Sequence, residues 1–230
     1  METTKLLNEL ISDNEIKEGT IDFMADVFST LSGDKIAMAK IMLTLAKSPM
    51  YFRQKLFWTK WELFLNGVYA SDDDRAQFCA KLSLCDGYKD NAYRLIQIID
   101  RVESLQKIKY LINAGKCLAS DFIDLSLFFR ICNIIVNSLD EDLIFLKENI
   151  MDDLEYEYGY IVQGLINTGL MYQSLIDKDG SDKYKFTPIA DIVDRYALSY
   201  DNVNRYPMCG NEKVKLKDKK TNANLVAKFG

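Results

Sequence analysis

Apolar residues recur every three or four positions through most of the first 170 residues of this 230-residue chain. That spacing is the mark of helices with one buried face. Only 3 prolines and 11 glycines interrupt it. Proline removes a backbone donor and glycine costs backbone entropy, so their scarcity permits long helices and disfavours a loop-rich fold. The clearest stripe is Phe57, Trp61, Phe64, Leu65 and Val68, at i, i+4, i+7, i+8 and i+11 between Tyr51 and Tyr69. The rings of Phe57, Trp58 and Trp61 suit either an aromatic docking surface or the main core, and their place on one stripe favours the core.

Start and stop signals divide the helical stretch. Ser12–Glu15 reads as a capping box, followed by Ile16, Ile21, Met24, Val27, Phe28 and Leu31. Gly33-Asp34 ends that segment, Ile36–Ala46 carries a second stripe, and Pro49 suits the start of a third. Ser71-Asp-Asp-Asp74 sits where polar side chains satisfy the free N–H groups of a helix start. Consecutive helical residues diverge, so this run suits capping better than a cation site. Asp86-Gly87 marks a break. Tyr93 to Leu105 then predicts a helix that continues or restarts through Ile108–Leu118 and ends near Gly115 or Ala119. Ser120-Asp121 is expected to cap a helix over Phe122–Leu139, and Asp140 to start a short one through Ile150. Short connections favour antiparallel neighbours in a bundle.

The pattern changes near residue 153. Leu154–Asn167 predicts one more helix, with Gly169 as its C-cap. Leu170–Leu175 and Asp182–Thr187 flank an Asp179-Gly180 turn and predict a β-hairpin. Thr187-Pro188 supplies an N-cap and N1 pair for a last helix through Ile189, Ile192, Val193 and Tyr196. This stretch, residues 154–198, resembles the end of winged-helix domains. There a helix stops at a Gly-Leu step, a wing hairpin follows, and a Tyr-x-x-Thr-Pro segment leads into a closing helix; Gly169, Leu170, Tyr184, Thr187 and Pro188 match. The expected fold is therefore mainly α: an antiparallel helical bundle over residues 1–152, a small C-terminal winged-helix-like helix/β-hairpin/helix unit over 153–204, and a basic tail over 205–230.

Chemistry is constrained mostly by exclusion. The chain has no histidine, which removes Ser-His-Asp and Cys-His catalysis, histidine zinc sites and histidine pH switches. Neither phosphate-binding glycine motif occurs. Five cysteines without CxxC spacing, and an N-terminus without a basic and apolar leader, point to reduced, packed thiols in a cytoplasmic protein. Ile36–Ala46 is too short to span a bilayer, and Phe122–Leu139 carries Asp124, Arg130, Asn133 and Asn137 at helical spacing, a wet face rather than a membrane span. Ser104-Leu-Gln-Lys107 matches the SxxK spacing of acylating serines without its companion motifs. Asp152, Asp153, Glu155 and Glu157 suit a helix start better than an acid–base pair or a magnesium site. No catalytic, cofactor-binding or metal-ligating residue is assigned, and no cofactor is expected.

The net charge of −5 is unevenly spread. Residues 205–230 carry seven basic and two acidic side chains, a balance of +5, so the remainder carries −10. Residues 153–204 hold nine acidic and four basic side chains. The winged-helix resemblance implies either DNA or protein recognition, and an acidic unit opposes phosphate contact. The expected function is a non-enzymatic interaction or regulatory protein with a protein partner or self-association. The alternatives are a DNA-binding regulator using wing and tail, and a peripheral membrane protein. The candidate partner- or nucleic-acid-binding residues are Lys178, Lys183, Tyr184, Lys185, Lys213, Lys215, Lys217, Lys219 and Lys220. A composition rich in lysine, isoleucine and asparagine suggests an AT-rich bacterial or phage source, and with it an accessory of a mobile element acting in defence or counter-defence.

Overall fold

The computed structural model describes residues 27, 29–33, 52–84, 87–152, 154–176 and 182–200. The Ser12–Glu15 box, the Ile36–Ala46 stripe, Pro49, the Asp179-Gly180 turn and the basic tail lie outside the described residues. The chain is mainly helical, with a small three-stranded antiparallel sheet near its C-terminus, as its periodicity predicts. It divides into two compact units, Met1–Asp100 and Arg101–Gly230.

The first unit contains α1 (Phe52–Val68), α2 (Asp72–Leu82) and α3 (Tyr88–Arg101), the last reaching the unit boundary. The α1 stripe forms an aromatic ladder. Phe57 and Trp61 stack at 5.9 Å, Trp61 and Phe64 at 6.3 Å, and Phe64 meets Phe78 of α2 edge-on at 5.9 Å. All four rings are buried, so they belong to the core and not to a docking surface. The indole of Trp61 still needs a partner for its N–H. It donates to Thr30 Oγ1 at 2.9 Å, and that hydroxyl donates to the Val27 carbonyl at 2.9 Å.

Capping follows the sequence at α2. The Ser71 hydroxyl accepts from the Asp74 N–H at 3.1 Å, while the Asp74 carboxylate accepts from the Ser71 N–H at 2.9 Å. Asn91 of α3 is buried, and its side-chain amide donates to the Leu82 and Leu84 carbonyls, both at 2.8 Å. The Leu82 carbonyl is an acceptor that the end of α2 leaves open, and the Leu84 carbonyl also accepts from the Gly87 N–H at 3.4 Å. Cys79 is half-buried with its thiol 3.5 Å from the Leu31 carbonyl, and Cys117 and Cys132 are buried.

The second unit contains α4 (Leu105–Ala119), α5 (Leu125–Asn137), α6 (Asp140–Asn149), β1 (Tyr156–Glu157), α7 (Tyr160–Asn167), β2 (Met171–Ile176), β3 (Asp182–Phe186) and α8 (Pro188–Val193), followed by a π-helical turn, Asp194–Leu198. The helix following Tyr93 restarts: Ser104 caps α4, which then runs through Gly115 to Ala119. Two expectations are corrected. Ser120-Asp121 does not cap α5; Asp121 takes a left-handed φ of 66° and Asp124 accepts from the Leu127 N–H at 2.7 Å. Leu154–Asn167 is not one helix. Glu155, Tyr156, Glu157 and Tyr158 alternate acid and ring with the period of a strand, Tyr156–Glu157 joins the sheet, and α7 starts only after the extended Gly159.

The π-helical turn is held by α4. Asn113 Nδ2 donates to the Ala197 carbonyl at 2.8 Å, and the Cys117 thiol lies 3.5 Å from the Tyr196 carbonyl. The wide turn frees carbonyls from ordinary helical bonding, and these buried side chains occupy them. Among the described residues no helix is long and apolar enough to cross a membrane. All apolar residues of α5 except the half-buried Ile134 are in the core, while Arg130 and Asn137 are exposed, the wet face its spacing predicts.

Candidate interaction surface

The sheet is ordered β1-β3-β2, which makes β3 its central strand. Tyr156 pairs with Tyr184 and Glu157 with Lys183; Met171, Tyr172 and Gln173 pair with Phe186, Lys185 and Tyr184. Side chains alternate across a strand, so the two faces differ chemically. One carries Tyr156, Tyr184 and Phe186. There Phe145 of α6 meets Tyr156 at 5.4 Å, Tyr156 meets Phe186 at 5.4 Å, and Tyr158 meets Tyr184 at 6.0 Å. The other face carries Lys183 and Lys185.

Both lysines have carboxylate partners. Lys183 Nζ lies 3.0 Å from Glu157 Oε1, and Lys185 Nζ lies 3.6 Å from Glu155 Oε1. Glu155 and Glu157 therefore do not serve a helix start: α7 has no acid in its first turn, and the two glutamates oppose the lysines of β3. Asp153 of the same acidic run lies outside the described residues, as do Lys178, Lys213, Lys215, Lys217, Lys219 and Lys220. Lys183, Tyr184 and Lys185 are brought together on β3, but Tyr184 is only 7% exposed.

The junctions that carry the winged-helix resemblance have clear local causes. Gly169 takes φ +77° after α7, its N–H donates to the Ile166 carbonyl at 2.9 Å, and the Leu170 N–H donates to Leu165 at 2.7 Å. This is the Schellman closure, sealed by the buried pair Leu165 and Leu170. Thr187 does not use its hydroxyl as an N-cap; it donates to the Gly169 carbonyl at 2.8 Å, while its N–H donates to Leu170 at 2.9 Å. Both ends of the hairpin are thus tied at one point.

A second surface feature was not signalled by any motif. Tyr158 Oη donates to Gln163 Oε1 at 2.6 Å, and Gln163 Nε2 donates to Asn167 Oδ1 at 2.8 Å. Tyr158 is 62% exposed and Tyr160, at the first position of α7, is 86% exposed. Neutral, hydrogen-bonded side chains and an open tyrosine ring thus line the solvent side of α7. The helix contains no lysine or arginine. The only sequence cue was the acid–tyrosine alternation from Glu155 to Tyr158, which a helix assignment hides.

α6 and α7 meet through Gly164 and Asp142. A Cβ on Gly164 would overlap the Asp142 carboxylate. Asp142 is buried, and burial pushes its carboxyl above the usual range; the Leu139 N–H and the Lys107 charge act the other way, and Glu141 adds to the rise. Ser104 is committed structurally: its hydroxyl accepts from the Lys107 N–H at 3.2 Å and donates to Asp140 Oδ1 at 3.1 Å. The SxxK spacing is thus an N-cap in use. Among the described residues no group of three or more acids and cysteines is placed to hold a metal ion.

Comparison with protein families, characterised proteins and solved structures finds no match to this chain.

Proposed function

We propose that this is a non-enzymatic interaction protein whose second unit binds a protein partner through the solvent side of α7. The observation that carries this reading is the pairing of the β3 lysines with Glu155 and Glu157, next to a tyrosine- and amide-bearing helix without cations. Phosphate recognition needs uncommitted cations. Protein interfaces favour tyrosine and pre-organised neutral groups, because a ring contributes much contact area with few torsions to freeze. The winged-helix resemblance fits this reading as an acidic, protein-binding variant of that unit.

The test compares wild type with Tyr160→Ala and Gln163→Ala in quantitative capture of the partner recovered from the host. A loss of about tenfold or more in affinity supports the proposal, as expected for an interface anchor. Capture unchanged by both substitutions, or retardation of DNA at low salt, overturns it.

A further inference from the structure

The aromatic face of the sheet ends in a polar group. Asp182 opens β3 two positions before Tyr184, so both side chains lie on the face that carries Tyr156. Gln173 of β2 pairs with Tyr184 and shares that face. Its Nε2 donates to Asp182 Oδ1 at 2.7 Å, and the Tyr184 hydroxyl hydrogen-bonds the same carboxylate. Tyr158, one residue past β1, continues the register toward Asp182, and its exposed ring meets Tyr184 at 6.0 Å. Asp182 and Gln173 are exposed as well.

Glu155 and Glu157 engage lysines, whereas the groups that hold Asp182 are neutral donors. Neutral donors orient a carboxylate without cancelling its charge. A carboxylate offers about four acceptor positions, so the two bonds leave room for a ligand. A cation seated there meets an anion and a tyrosine face together, and such a face attracts cations within about 6 Å of its centroid. A guanidinium meets both demands, because its planar fork binds a carboxylate through two N–H groups and its face stacks on a ring. An ammonium is a strongly hydrated point charge and meets them less well. The surrounding charge acts in the same direction: residues 153–204 hold nine acidic and four basic side chains.

We propose that Asp182 and the ring of Tyr158 seat an arginine side chain of the protein partner, with Gln173 and Tyr184 positioning the carboxylate. This rests on the assignment of α7 as the docking surface and names the chemistry of what docks there. Tyr158 belongs to both sites, through the bond from its hydroxyl to Gln163 of α7. The partner segment is basic, with one arginine anchored at the sheet and its neighbours lying along α7.

The test titrates two blocked peptides, Gly-Ser-X-Ser-Gly with X either arginine or its neutral isostere citrulline, into the isotope-labelled full chain and follows amide shifts. The arginine peptide should shift Tyr158, Gln173 and Asp182 and bind about tenfold or more tighter than the citrulline peptide. Asp182→Asn, which keeps an acceptor for Gln173, should erase that preference. The two-peptide comparison on wild type holds even where the variant folds poorly. Equal binding of both peptides overturns the proposal, as do shifts confined to other residues or an arginine preference that survives Asp182→Asn. Arginine binding that appears only after removal of residues 208–230 also overturns it, since the occupant would then be the chain's own basic tail. Tyr160→Ala separates the two readings: it should leave arginine-peptide binding intact while weakening capture of the partner, so either reading can fail without the other.

Discussion

Lys183 Nζ sits 3.0 Å from Glu157 Oε1, directly across the β3–β1 pairing, with the lysine side chain mostly covered and the glutamate mostly open. A hairpin lysine that reads as a phosphate contact in sequence is thus engaged by a strand that reads as helix. Cross-strand and surface ion pairs contribute roughly 0.2–1 kcal/mol each. The combined Glu155→Gln and Glu157→Gln substitution should therefore cost about 1 kcal/mol or less in chemical denaturation. It should also free two cations, so the variant elutes from heparin at higher salt than wild type. Unchanged elution would mean that Lys183 and Lys185 are not held by these acids in solution.

Ser104 gives the sharpest test of a motif reading. As the N-cap of α4 it accepts from the Lys107 N–H, and Ser104→Ala should lower stability by about 0.5–2 kcal/mol in urea unfolding. Ser104→Asp keeps an acceptor at the cap, but it meets Asp140, the partner of the native hydroxyl, and so should recover only part of the loss. Neutral behaviour of Ser104→Ala would remove the capping role.

Why some of this was legible and some was not follows from the range of the interactions. The α1 stripe, the Ser71 capping box, the Gly169 closure and the hairpin strands are set by residues within a few positions of one another, and their patterns stand in the sequence. β1 is different. Its two residues are a strand only because β3, some 26 positions later, supplies ladder partners and lysines. The Asp121 and Asp124 exchange is a local ambiguity, in which two aspartates three apart compete for one cap and the left-handed turn at Asp121 decides it. The Tyr158, Gln163 and Asn167 chain was invisible for a related reason: it joins the end of a strand to a helix face, and neither periodicity spans that junction.

Asn91 links α3 to the end of α2 with two donors from one buried amide. Asn91→Leu conserves bulk but leaves the Leu82 and Leu84 carbonyls without those partners. Losing buried partners costs about 1–3 kcal/mol for each group left unsatisfied, and less where water reaches it. Thermal unfolding should show a clear drop for this variant, while an exposed control such as Gln77→Ala stays near wild type. Equal melting of the two variants would contradict the assigned bonds.

Gly164 and Asp142 form a pair whose steric and electrostatic effects can be separated. Gly164→Ala should destabilise by about 1–3 kcal/mol, because the new methyl displaces the Asp142 carboxylate. Combined with Asp142→Ala, the cost should fall below the sum of the single changes, since the clash is gone. Asp142→Asn probes the charge alone. Burial raises the folded carboxyl above its unfolded value, so its contribution is fully present below the unfolded pKa and is lost as pH rises through the folded one. At neutral pH the ionised carboxylate is therefore a cost that asparagine removes, while the side-chain oxygen can still accept from the Leu139 N–H. The melting temperature of Asp142→Asn relative to wild type should increase from pH 3 to pH 7, with other titrations cancelling in the difference. A difference that shrinks over that interval would show that the Lys107 charge and the Leu139 hydrogen bond outweigh burial at this site.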